Sequence, residues 1–132
     1  MEPEKAQRPV NVDVTTEATF DPSGLWQKGS YALRKLYHDS EKPLLVVYTS
    51  PSCGPCHVLK PQLQRVIREL DGRAQAVVID IEADQNIAEQ AGVSGTPTVQ
   101  LFQHKSMLKQ WRGVKERREF KAAIEDCLKT RA

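Results

Sequence analysis

No run of apolar residues in this 132-residue chain approaches the roughly 18 that a membrane-spanning helix needs, and the mean hydropathy is -0.52. The opening Met1-Glu2-Pro3-Glu4 has neither a basic start nor an apolar stretch behind it, so no secretory signal is expected. Charge of one sign is missing too. Nineteen Lys and Arg oppose seventeen Asp and Glu, far from the dense basic stripe that marks a nucleic-acid binder. Neither nucleic acid nor membrane is therefore expected as a partner. Cysteine is scarce: of three, two are packed into Cys53-Gly54-Pro55-Cys56. That is too few for a disulfide scaffold and suits a reducing compartment with one redox pair. No Gly-x-Gly-x-x-Gly occurs, so the chain carries no signature of a dinucleotide site. The length supports one domain, with or without a tail.

Composition divides the chain near residue 28. Residues 1–28 hold three prolines and five acids against three bases, while the remainder carries sixteen bases against twelve acids. We read 1–28 as a flexible linker or tail and 29–132 as the domain. The alternation of Val10, Val12 and Val14 leaves an added edge strand as the rival reading. From Ser30 the pattern becomes regular. Ala32, Leu33, Leu36 and Tyr37 predict a helix ending before Pro43. Leu44–Tyr48 is a short apolar run, as in a strand buried on both faces. Leu59, Leu63, Val66, Ile67 and Leu70 predict a helix over about 54–70, which Pro61 should kink. A second buried strand (76–81), a short helix (86–91), a strand from Pro97, a turn near His104, a returning strand (107–111) and a C-terminal helix follow. The order from residue 43, β-α-β-α-β-β-α, predicts an α/β fold: a central mixed sheet with helices on both faces.

Cys53 follows a buried strand and opens a helix, beyond the carboxyl end of the strand where functional groups gather in open α/β sheets. Free N–H groups and the helix dipole favour the thiolate there. A thiol of pKa near ~8.5 is about 3% ionised at pH 7, and one near ~7 about half, so the gain in reactive species exceeds tenfold. Cys56, one turn on, is expected to be buried and able to attack a sulfur bonded to Cys53, with Pro55 stiffening the small ring. A dithiol pair is the leading reading. Zinc would need further ligands that no second Cys or His pair supplies, and Cys53-Gly-Pro-Cys56-His57 also matches the haem-attachment pattern C-x-x-C-H. The second element is Gly95-Thr96-Pro97-Thr98, where Pro97 stands either as a cis proline or as a trans proline opening a strand.

Cys53-Gly54-Pro55-Cys56, Pro61, Gly95-Thr96-Pro97 and Gly113 together resemble a thioredoxin over about residues 30–130. The resemblance implies the thioredoxin fold and a protein-disulfide reductase whose redox-active centre is the Cys53–Cys56 disulfide. Cys53 would be the nucleophile and Cys56 the resolving thiol, with Gly54, Pro55, His57 and Pro61 supporting them. It further implies that Pro97 is cis, that the Thr96 backbone pairs with a bound partner, and that Gly113 lies beside the same surface. The stretches 28–38, 48–53 and 92–100 resemble more closely the C-terminal thioredoxin domain of the NADPH-dependent thioredoxin reductase C family of cyanobacteria and plastids. That likeness implies electron transfer from a reductase module holding FAD and NADPH, in the same polypeptide, to 2-Cys peroxiredoxin. It implies no cofactor or metal in this chain, residues 1–28 as an inter-domain tether, and a monomeric isolated domain. A start without Ser- and Arg-rich transit character favours a bacterial cytoplasm, with the plastid stroma as the alternative. A free-standing thioredoxin, or a thioredoxin-like binding module without turnover, is the rival function.

Three positions depart from the thioredoxin pattern: Ser52 replaces a Trp, Val47 a buried Asp and Val78 its Lys partner. Loss of both charges together is consistent with the cost of a lone buried ion. It leaves no internal carboxylate for the Cys56 proton, so water or His57 is expected to take it. Elsewhere the plainer readings hold. Cys127 sits on an apolar stripe as a core thiol, Trp26 and Trp111 are packing residues, and Arg112, Lys115, Arg117 and Arg118 make a basic, solvated face that is also a candidate for an acidic partner.

Overall fold

A computed structural model describes residues 14–130. β1 (Trp26–Lys28) is followed by α1 (Ser30–Asp39), β2 (Leu44–Thr49), α2 (Gly54–Glu69), β3 (Gln75–Asp80), α3 (Gln85–Gln90), β4 (Thr98–Gln103), β5 (Ser106–Arg112) and α4 (Arg117–Thr130). The five strands form one sheet in the order β1-β3-β2-β4-β5. β3 pairs in parallel with both β1 and β2, while β4 runs antiparallel to β2 and to β5.

Strand alternation explains why so continuous an apolar sequence is needed at the centre. Leu45 and Val47 of β2, with Ala76 and Val78 of β3, join Leu59, Leu63, Val66 and Ile67 of α2 and Phe120 and Ile124 of α4 in one core. Leu44, Val46 and Tyr48, with Val77 and Ile79, face the other way onto Ala32 and Leu36 of α1 and Ala88 of α3. Successive side chains on a strand point to opposite faces, so a strand covered on both sides has no polar positions to spare. The mixed sheet with helices on both faces is as expected. α2 runs through Pro61 without interruption.

The flexible tail expected over 1–28 does not hold for its described part. Val10 and Val12 lie outside the described residues, but Val14–Lys28 is not a loose tail. Trp26–Lys28 is a strand in register with Ala76–Val78. Thr15 N–H donates to the Lys28 carbonyl (2.9 Å), and the Gln75 side-chain amide donates to the carbonyls of Pro22 (2.7 Å) and Gly24 (2.9 Å). The physical reason is that β3 would otherwise leave a row of buried backbone groups unpaired. Phe20 also stands edge-on to Tyr31 (5.7 Å between ring centres), and Trp26 packs against the α2/α4 core.

Candidate active site

β2 carries the chain into a tight turn in which Cys53 N–H donates to the Ser50 carbonyl (3.1 Å). Cys53 then caps α2 with extended backbone angles (φ -88°, ψ 101°), and its Sγ turns back to accept the Cys56 N–H at 3.2 Å. Gly54 and Pro55 occupy the first helical positions. The first N–H groups of a helix have no intrahelical acceptor, so the proline forfeits nothing there. Cys53 and Cys56 are joined in a disulfide with their Cα atoms 5.3 Å apart. Cys53 is 7% exposed and Cys56 1%. The helix N-terminus therefore faces Cys53 Sγ with the partial positive charge of its free N–H groups.

The second element lies at the same end of the sheet. Tyr48 pairs with Thr98 and Thr98 with Arg112, so the turns preceding Thr98 and following Arg112 flank the one that follows Tyr48. The Thr96–Pro97 bond is cis. Pro97 is buried, Thr96 half-buried and Gly95 exposed. Gly113 N–H donates to the Pro97 carbonyl (2.9 Å), and the Thr98 hydroxyl donates to the Gly95 carbonyl (2.7 Å). The Ser50 and Thr96 hydroxyls, 3.4 Å apart, link this loop to the cysteine turn. Gly113 has φ +84°, a conformation that side-chain-bearing residues rarely adopt. The Ser50–Thr96 link had no signal in the sequence, because nothing local marks two hydroxyls 46 residues apart.

Val47 and Val78 are cross-strand partners and buried. The position of the absent Asp–Lys pair is therefore filled by two apolar side chains in contact with the core. His57 is exposed and lines an open groove of about 410 Å³ with Thr49, Pro51, Lys60, Val78 and Asp80. Val14 and Lys28 also line it. Pro61 is exposed on α2 and makes no part of the cysteine turn. Cys127 is 7% exposed in the α2/α4 core, where burial, followed by the nearby Asp126 charge, pushes its thiol up from the ordinary range. Among the described residues, no group of three or more His, Cys, Asp or Glu side chains could hold a metal ion.

The basic face is divided. Arg112 shares a register row with Thr98 and Tyr48, and Tyr48 faces α1 and α3. By strand alternation Arg112 lies on that face, whereas Lys115, Arg117 and Arg118 line a shallow groove with Val58 of α2.

A chain of this architecture with a disulfide at this place has clear relatives. The family model described as Thioredoxin matches residues 29–126. NADPH-dependent thioredoxin reductase 3 of Arabidopsis thaliana is 53% identical over 106 residues, which is 80% of this chain but 20% of that protein. The chain thus spans about a fifth of that relative's length. Thioredoxin of a Synechocystis strain is 33% identical over 64 residues, 48% of this chain and 60% of the relative. Among solved structures, a mutant thioredoxin from Halobacterium salinarum superposes with a TM-score of 0.69 at 27% identity, covering 82% of this chain and 94% of that one. The chain belongs to the thioredoxin family and is a thioredoxin-type thiol-disulfide oxidoreductase built around Cys53–Cys56.

Proposed function

We propose that Cys53 is the attacking thiol and Cys56 the resolving one, and that the domain reduces protein disulfides. The observation that carries this reading is the placing of the two sulfurs. Cys53 stands at the helix N-terminus and is the more exposed, while Cys56 is closed off one turn inside. The Cys53 thiolate attacks one sulfur of a partner disulfide, and the other partner sulfur leaves as a thiolate. Cys56, having given up its proton, then attacks Cys53 Sγ. The second partner thiolate leaves, and Cys53–Cys56 is oxidised as the partner gains two electrons. With no carboxylate at position 47, the proton of Cys56 passes to water or to His57. Thr96 and Gly113 border the surface where the partner strand lies, beside cis-Pro97.

The electrons that restore the dithiol come, in this proposal, from a reductase module holding FAD and NADPH, joined upstream in the same polypeptide. The 53% identity to NADPH-dependent thioredoxin reductase 3 supports it. This chain's own residues do not fit either cofactor, for want of a glycine-rich phosphate loop. The disulfide served is that of a 2-Cys peroxiredoxin. The expected potential is near that of thioredoxins, roughly -270 mV.

The test is a trap. Reduced Cys56→Ser protein mixed with oxidised 2-Cys peroxiredoxin should give an adduct, visible by intact mass, that dithiothreitol removes and that is absent when Cys53 is also Ser. No adduct, with a small disulfide still reacting, would remove the peroxiredoxin. No reaction with either would remove the redox roles of the two cysteines.

A further inference from the structure

We propose that the groove between α2 and the start of α4 is a docking surface for an acidic polypeptide segment flanking the partner's disulfide; the proposal deepens the reductase reading and rests on it. Val58, 60% exposed, and Val114, 45% exposed, are two of the few large apolar side chains left open to solvent among the described residues. They line one groove of about 510 Å³ with Gln62, Lys115, Glu116, Arg117 and Arg118. Val58 lies in the second turn of the helix that Cys53 caps, and Val114 directly follows Gly113, which is bonded to Pro97. The groove therefore adjoins the redox turn on the α2/α4 side.

Its charge selects the occupant. Glu116 pairs with Arg118 (2.7 Å), no ion pair is formed by Lys115 or Arg117 among the described residues, and Arg117 acts on Glu69 only as one of several charges that lower its carboxyl. Arg117 Nη1 donates instead to the neutral Gln62 Oε1 (3.1 Å), which fixes its guanidinium at the groove. A segment that buries apolar side chains on Val58 and Val114 brings whatever charge it carries up to those two cations. Carboxylates are attracted and ammonium groups repelled, an effect expressed mainly in the association rate. The same patch thus discriminates between disulfides by their neighbours and not by the disulfide itself.

The test uses the reduced, unaltered protein and two disulfide peptides of equal length, one flanked by Glu and one by Lys. Bis(2-hydroxyethyl) disulfide serves as a neutral small substrate. At low ionic strength the acidic peptide should be reduced about tenfold faster than the basic one. That ratio should shrink as salt shortens the screening length to ~10 Å at 0.1 M. In Lys115→Glu/Arg118→Glu, which leaves the Arg117–Gln62 link in place, the ratio should fall below one. Because the ratio is taken within one protein, a partial loss of folded variant cancels. Equal rates for the two peptides, or a ratio that the double substitution leaves unchanged, would overturn the docking surface. Failure to reduce bis(2-hydroxyethyl) disulfide as well would overturn the reductase reading and the docking surface with it.

Discussion

Val47→Asp puts a carboxyl into a site with no room for its charge. Val47 is 0% exposed, pairs across the sheet with Val78, and shares a core with Leu59 and Leu63 of α2. Kept neutral, the buried carboxyl costs about 1–3 kcal/mol. Ionised and unpaired, it costs several kcal/mol, so its folded-state pKa is forced above the ordinary ~3.9. A carboxyl raised in this way loses stability as pH rises. The penalty is smallest below about pH 3.9, grows by up to ~1.4 kcal/mol per pH unit, and levels off above the folded-state value. Urea unfolding of both proteins with the disulfide intact, at pH 4 and pH 8, reads it directly. The gap between variant and parent should widen by several kcal/mol, and adding Val78→Lys should narrow it again at pH 8. A gap of equal size at the two pH values would refute the reasoning, since it would mean that the carboxyl stays hydrated and that the Val47–Val78 site is wet. The same variant checks the proton route. If water or His57 serves Cys56, a carboxylate at position 47 should shift the pH profile of disulfide exchange, and an unchanged profile would dismiss that route.

Phe120, fully buried with its ring centre 4.7 Å from that of Trp111, anchors α4; Phe120→Ala should cost about 3–5 kcal/mol in chemical denaturation. Cys127, buried and with its thiol pushed upward, should resist iodoacetamide at pH 8 in the reduced native protein while Cys53 alkylates, and should react only on unfolding. Burial pushes the Tyr48 phenol up to about 12. Its contribution to stability is complete below the unfolded value near 10 and is lost as pH rises through about 12, at most about 3 kcal/mol. Tyr48→Phe should remove that alkaline loss, as measured by urea unfolding between pH 9 and pH 12.

The parts of the fold legible in the sequence were those with dense local signals. Leu44–Tyr48 and Ala76–Ile79 read as buried strands because both their faces are covered. Leu59, Leu63, Val66 and Ile67 marked the helix through their spacing, and Cys53, Cys56, Pro97 and Gly113 stood out as rare residue types in a specific order. β1 was not legible. It has three residues, Trp26, Gln27 and Lys28, of which only the polar Gln27 is buried, and the amide of Gln27 is satisfied by the carbonyls of Asp21 and Gly24. A strand held by backbone pairing and local loops leaves no apolar period to detect. The basic face was visible as composition, but its division was not, because only the register of β5 assigns Arg112 to one side of the sheet and the turn after it assigns Lys115 to the other.

The path of Val14–Lys28 bears on how a second module could work with this one. Thr15 is bonded to Lys28 at the carboxyl end of β1, and Val14 borders the groove that also holds Pro51 and His57. Anything joined upstream of Val14 is thus hitched to the domain at the sheet end that bears Cys53. Had the chain entered at the opposite end, a connecting segment would first have to traverse the six residues of β2, about 20 Å of extended backbone. Attachment at the near end shortens that leash. If the reductase module proposed above is joined on that side, donor and acceptor belong to one polypeptide, and electron delivery between them is a first-order event, indifferent to dilution of the protein.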